Sequence, residues 1–328
     1  MQNITRRSLG ALGVLAALAL SAAISAAQDK PLRLATSASA TEGRGVELTA
    51  YAEKVAASVP LELHFNSTLF AQGTELMAIQ RGNLDMALVA PHDIAKQLPE
   101  WSIFTAGYLL RDPDHLQNVF KADVGKEMSQ LVADKLGVVI ISPVYQGRRQ
   151  VNIKGDKEIR TPADLAGVKL RMPGTPEWLF LGEALGASPS PMAFAEVYTG
   201  LQTGTIDGQD NPLPAVFDRK FYEVTDQIVM TSHLVDFSLL AVSKKVLDGL
   251  SEEKRETLLA EGRATTDRIA ERQLKAEAEL VAYFEGKGLN VYEPDLDAFR
   301  SHVQAKYLES EYSNTWIDGM LDSINAVE

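Results

Sequence analysis

The sequence contains no cysteine in 328 residues. Disulfides, thiol catalysis, thiolate metal sites and a lipid-modified cysteine anchor are therefore excluded together. Histidine is scarce: the five, at positions 64, 92, 115, 233 and 302, have no metal-ligand spacing, and no HExxH motif occurs. A GxSxG nucleophile elbow and a phosphate-binding P-loop are also missing, so acyl transfer and nucleotide hydrolysis have no local support. Gly43, Arg44 and Gly45 lack the third glycine and downstream acid of a dinucleotide fingerprint and read as loop and helix entry. No cofactor and no metal site is implied. Basic residues are few, 32 against 44 acidic for a net charge of −12, which argues against nucleic acid and anionic lipid as partners.

What is present begins with residues 1–27, which read as an export signal. Arg6 and Arg7 form a basic start, residues 9–24 an apolar run, and Ser25, Ala26 and Ala27 small residues before a cut ahead of Gln28. The run is shorter than the roughly 20 apolar residues of a spanning helix, so no membrane insertion is expected once the signal is removed. Thr5 to Leu9 also fit a twin-arginine signal, and both Sec and Tat export are compatible with the residues. Loss of Arg6 and Arg7 leaves 30 basic against 44 acidic residues, a net −14. The remaining 301 residues suffice for two domains of ordinary size, and the expected location is the periplasm.

Residues 169–214 organise the chain. Alternation over residues 168–172 predicts a strand that Pro173 and Gly174 stop, leaving Arg171 near its carboxyl end, where open α/β sheets present residues to ligands. Thr175 and Pro176 read as N-cap and first residue of a helix reaching about Gly186, so a guanidinium and free helix N–H groups converge on one volume that favours an anion. Residues 188–191 read as a turn and 193–202 as a second helix. Residues 206–212 read as a polar, proline-closed corner whose Asn211 amide either bonds a ligand or clamps Arg171. Asp207 and Asp210 are an acid pair of structural or catalytic character.

These residues resemble a known family. KLRMPGTP, GASPSPMAFAEVYTGLQTGTIDGQDNP and KFYEV are similar to the hallmark segments of the periplasmic solute-binding subunit of a tripartite ATP-independent periplasmic (TRAP) transporter, DctP type, and the resemblance spans essentially the whole mature chain. It implies that Arg171 receives a substrate carboxylate in a two-point salt bridge. It also places the family's asparagine on Asn211, its aromatic on Phe194, and a second cleft arginine on Arg149 in preference to Arg148. Both arginines could instead be solvated on a connecting strand. The first loop, including Glu42, lies at the cleft in that family. TRAP permease membrane subunits are the implied partners; a binding protein of an ABC importer or sensor system is the alternative, and a periplasmic enzyme a weaker one.

The remaining patterns suit an α/β two-domain periplasmic binding protein with a ligand cleft between discontinuous domains and a long spine helix. Strands are expected over 31–36, 61–65, 84–90, 138–142, 227–231 and 237–242, and helices over 45–58, 73–81, 112–136, 296–309 and 312–324. A helix from Ser251 to Glu285 would be roughly 50 Å long, enough to brace two domains, with Gly262 a possible bend. The resemblance divides the chain into 28–146 plus 237–270 and 147–236 plus 271–328, with the spine at about 251–285. His92, at a strand end, is either a ligand contact or a surface hydrogen-bonder, and Trp178 is either cleft wall or helix-packing core. Arg171 calls for a small carboxylate, but sugar acids, dicarboxylates, hydroxy or oxo acids and aromatic acids all satisfy it.

Overall fold

The computed structural model describes residues 30–328; the export-signal reading lies outside them. The first part of the sheet is short and apolar: β1 (Leu32–Ala35), β2 (Leu61–His64) and β3 (Met86–Val89), with β1 parallel to both neighbours. The chain then runs through β4 (Val138–Ile153), β5 (Lys169–Met172), β6 (Ser188–Pro191), β7 (Gly208–Pro212), β8 (Gln227–Ser243) and β9 (Asn290–Tyr292). The strand order is β2-β1-β3-β8-β4-β7-β5-β6, and β9 joins the early part of β8 in parallel.

The two long strands β4 and β8 pair antiparallel along almost their whole length and belong to both ends of the sheet. Residues 239–242 of β8 pair with β3, whereas residues 149–153 of β4 pair with β7. Register shifts interrupt the β4–β8 ladder at Ile140/Ser142, Tyr145/Gly147 and Arg149/Val151. The first two are bulges in β4, which bend the strand and raise its twist, and at the third the partner jumps from Leu234 to Val229, so the sheet turns through this crossover. Gly147 has φ +125°, a region closed to side chains, and a Cβ there would lie 2.5 Å from Pro212 Cβ.

The helix Glu252–Gly286 spans 35 residues, with the Ser251 side chain accepting from the Lys254 N–H at its start. Its first half packs on the β1–β3 end: Tyr51 donates to Leu258 O at 2.8 Å, and Ile269 joins the apolar cluster of Leu34, Met86 and Val242. Its second half contributes Leu280 and Phe284 to a separate cluster with Val197, Leu213 and Phe221. Gly262 does not interrupt the helix. It permits close approach to the sheet, since a Cβ would stand 3.0 Å from Ile141 Cγ2. At the crossover, Glu277 of this helix accepts from Tyr145 OH and from the Arg148 backbone N–H, each at 2.6 Å.

Several elements differ from the sequence expectations. Residues 188–191 form an edge strand where a turn is expected; Pro189 and Pro191 fit because an edge strand need not donate on both sides. The expected polar corner at 206–212 contains β7, a buried strand between β4 and β5. The expected strands 227–231 and 237–242 are one strand, and the strand beginning at Val138 runs on to Ile153. Residues 112–136 divide at Ala122 into helices Pro113–Lys121 and Asp123–Leu136. In place of a helix over 312–324 there is a 3-10 turn, Glu311–Thr315, and a short helix, Met320–Asn325, separated by Gly319 at φ +73°.

Candidate functional site

Arg171 is the third residue of β5, which is held on one side by β7 and on the other by β6. The residue is 3% exposed. Met192 follows β6, and its carbonyl accepts from Arg171 Nε at 2.9 Å and Nη2 at 2.7 Å. Of the five N–H groups of a guanidinium, these two bonds leave three free. Among the described residues no carboxylate lies within salt-bridge distance of Arg171. Burial brings its pKa down to about 10; the charge of Asp210 opposes that shift and the charge of Arg149 adds to it. The group therefore remains a cation at neutral pH, buried and lacking an anion.

Arg149 is buried beside it with the opposite environment. Its Nε donates to Asp210 Oδ2 at 2.6 Å, its Nη2 to Asp210 Oδ1 at 3.1 Å and to the Asp210 carbonyl, and its Nη1 to Asp236 Oδ2 at 2.6 Å. Burial alone would lower its pKa, but the two aspartates hold it above its ordinary value. Asp210 itself would be raised by burial, yet the charge of Arg149 and a bond from His233 hold it far below the usual carboxylate range. His233 Nε2 lies 3.1 Å from Asp210 Oδ2 and its Nδ1 2.8 Å from Thr231 Oγ1, so the network assigns the proton to Nε2. The guanidinium carbon of Arg149 sits 4.4 Å from the Trp178 ring centre.

Both arginines line a cavity of about 910 Å³, as do Asn211, Phe194, Trp178, His92 and Glu42. All seven candidate positions named in the sequence thus line one cavity. Phe194 lies with its ring centre 5.6 Å from Arg171 Cζ and 5.1 Å from Arg219 Cζ. Asn211 does not clamp Arg171: its Nδ2 donates to Gln209 Oε1, and Gln209 Nε2 donates to Asn152 Oδ1 at 3.2 Å. Trp178 is both wall and core, packed among buried apolar residues while its Nε1 donates to His92 Nδ1 at 3.0 Å. Burial lowers the His92 pKa, so its imidazole is neutral and can accept. Glu42 accepts from Arg44 Nε at 2.9 Å, and Arg44 also donates to Gln146 Oε1. Thr175 occupies the N-cap position but makes no cap bond; its Oγ1 is buried on the cavity wall without a partner among the described residues.

Arg148 is absent from that wall, and its backbone is held by Glu277. Asp207 accepts from the Lys169 N–H at 2.9 Å, so it and Asp210 serve the sheet as separate structural acids. Sequence reasoning missed Asp236, Arg44, Gln146, Asp218 and Arg219 on the wall, and Asp210 and His233 as a support for Arg149. A signal existed for Asp236: an acid inside the apolar run of residues 234–241. No cluster of His, Cys, Asp or Glu among the described residues could hold a metal ion.

One α/β sheet carrying a large cavity of mixed polar and apolar lining, with a buried cation that has no ion pair among the described residues, suits a ligand-binding protein. The DctP description, "Bacterial extracellular solute-binding protein, family 7", matches residues 36–314, and the chain belongs to that family. It is a periplasmic transport protein and not an enzyme. A TRAP periplasmic solute-binding protein from Roseobacter denitrificans, solved with bound 3-deoxy-D-manno-oct-2-ulosonic acid, is 48% identical, with a TM-score of 0.89 over 92% of this chain and 100% of that one. A second protein from that organism, solved with bound L-galactonate, is 25% identical, with a TM-score of 0.81 over 92% of this chain and 99% of that one. The sialic acid-binding periplasmic protein SiaP of Vibrio cholerae is 30% identical over 89% of this chain and 91% of its own length.

Proposed function

We propose that the protein captures a polyhydroxylated organic acid of sugar-acid size and delivers it to a TRAP-type membrane permease. The observation that carries this reading is Arg171: a buried cation with three unused N–H donors and no anion beside it. A planar guanidinium fork matches a carboxylate in two parallel bonds. Asn211 and Thr175 Oγ1 supplement the anchor, and Arg149 assists through the Nη1 proton that Asp236 does not take. Phe194 and Trp178 supply apolar wall, while His92 and Glu42 offer polar atoms to hydroxyl groups. The cavity volume of about 910 Å³ lies at the upper end of ordinary small-molecule sites, which suits a sugar acid. The bound octulosonic acid and galactonate of the two Roseobacter denitrificans relatives support this class.

In this reading residues 28–146 plus 237–270 close against 147–236 plus 271–328 about the bulged β4–β8 crossover and the long helix. Contacts from both sides are required, because a ligand with equal affinity for open and closed states cannot shift them.

A thermal-shift screen of sugar acids, including 3-deoxy-D-manno-oct-2-ulosonic acid, followed by calorimetry on the strongest hit, tests the proposal. Arg171→Ala and Arg171→Lys should each weaken binding by about 2 to 5 kcal/mol, since lysine keeps the charge but loses the fork. Near-normal affinity in both folded variants would remove the carboxylate-anchor assignment.

A further inference from the structure

Arg149 and Arg171 lining one cavity suggest a site for two carboxylates, but Arg149 is already occupied by acids of the protein itself. Arg149 faces both Asp210 and Asp236, so the three groups together carry a net negative charge. Arg44 is paired with Glu42 at 2.5 Å and Lys96 with Asp93 at 2.7 Å. The other charged groups lining the cavity are Arg171, Glu196, Asp218 and Arg219. Glu196 and Asp218 are exposed, and Arg219 is half-buried against the Phe194 ring, its Cζ 5.1 Å from the ring centre, with no ion pair among the described residues. Among the described residues lining the cavity, Arg171 alone is a deeply buried cation without an ion pair.

We infer that Asp236 is a specificity-determining residue: by occupying Arg149 it leaves Arg171 as the deeply buried guanidinium of the wall without an ion pair, and it selects acids with a single carboxylate and a hydroxylated tail over dicarboxylates. The inference rests on Arg171 as the anchor and refines the class of acid it receives. Asp236 stands opposite Gly147 at the bulge between the two parts of the sheet, with its side chain 14% exposed and lining the cavity. An ionised carboxylate only accepts hydrogen bonds. A hydroxyl of the ligand tail can donate to Asp236, whereas a second ligand carboxylate meets it acceptor to acceptor and charge to like charge.

Galactonate and galactarate are matched probes that share a hydroxyl pattern and differ by one terminal carboxylate; 3-deoxy-D-manno-oct-2-ulosonic acid is a second mono-acid. Calorimetry on the mature protein should show the better mono-acid binding at least roughly tenfold more tightly than galactarate, the scale of a like-charge clash. Asp236→Asn, which keeps shape and removes charge, should narrow that ratio by about fivefold or more, and Asp236→Glu should preserve it. Asp236→Ser replaces the asparagine variant if circular dichroism shows that variant unfolded. A wild type that prefers galactarate overturns the inference. So does a ratio unmoved by neutralising Asp236 while Arg171→Ala still abolishes binding, a result that leaves the anchor standing. A panel in which no acid binds overturns both.

Discussion

The indole N–H of Trp178 donates to Nδ1 of His92 at 3.0 Å, with the two rings edge to face at 5.9 Å. Trp178 lies in the helix that follows β5 and His92 in the helix that follows β3, so the bond ties opposite ends of the sheet across the cavity. Arg149 covers the same indole. Trp178→Phe retains an aromatic face for Arg149 and removes the donor together with part of the buried ring system. A net hydrogen bond of about 0.5–1.5 kcal/mol predicts a loss of roughly two- to twelvefold in ligand affinity and a larger radius of gyration without ligand. Scattering and calorimetry on the variant check both. His92 has a lowered pKa, so the tie's contribution is complete above the ordinary imidazole value near 6.5 and is lost as pH falls below it.

Arg171 weighs against the unliganded fold. A base whose folded-state pKa is depressed costs stability wherever it is charged, and the cost is relieved as pH rises through about 10 toward 12.5. Arg171→Met should therefore raise the unliganded stability by roughly 0.5–2 kcal/mol while abolishing binding. Urea unfolding with and without ligand separates the effects: saturating ligand should stabilise the wild type and leave the variant unchanged. A destabilised Arg171→Met protein would contradict the account of burial.

Asp210 carries the opposite sign. Its depressed pKa means that its contribution is fully present above the ordinary carboxylate range near pH 4 and erodes as pH falls through the depressed value. Breaking a buried ion pair by truncation typically costs about 3–5 kcal/mol, and Asp210→Ala should lose an amount of that order at neutral pH. Denaturant midpoints from pH 7 to pH 2 should show the gap between wild type and variant shrinking with acid. A gap independent of pH would detach Asp210 from the Arg149 charge.

The neighbouring arginines should separate cleanly. Arg148 lies off the cavity wall, so Arg148→Ala should change affinity by no more than about twofold, the scale of a neutral surface change. Arg149→Ala leaves Asp236 unpaired on the cavity wall and the buried Asp210 with His233 as its remaining side-chain partner, and should cost much more, in affinity and in melting temperature. A larger affinity loss at Arg148 than at Arg149 would reverse the assignment.

The organising stretch was legible because its signals are local. Arg171 at a strand end, the proline-led helix after it, and the 35-residue helical pattern all follow from spacing and punctuation within a single element. β7 was not legible. Its five residues, GQDNP, contain no large apolar side chain, and strand prediction reads alternation of apolar and polar groups. Its burial is satisfied by partners far away in the chain: Asn152 for Gln209, Arg149 and His233 for Asp210. The unbroken course of β4 was hidden for a related reason, since the apolar pattern stops near Ser142 and the polar run through Arg149 joins the strand only by way of register shifts and the Glu277 contacts. Asp236 acquires meaning only when β8 lies against β4 and its carboxylate reaches Arg149.

The shared course of β4 and β8 also limits how such a protein can be rearranged. Neither end of the sheet is a transferable module, because residues 147–236 carry half of the β4–β8 ladder along with their share of the cavity wall. A chimera joined at the crossover must reproduce all three register shifts or lose the pairing that aligns the two walls. New ligand preferences are accordingly more accessible through single side chains such as Asp236, Asp218 or Glu42, replaced on an intact ladder, than through exchange of whole segments.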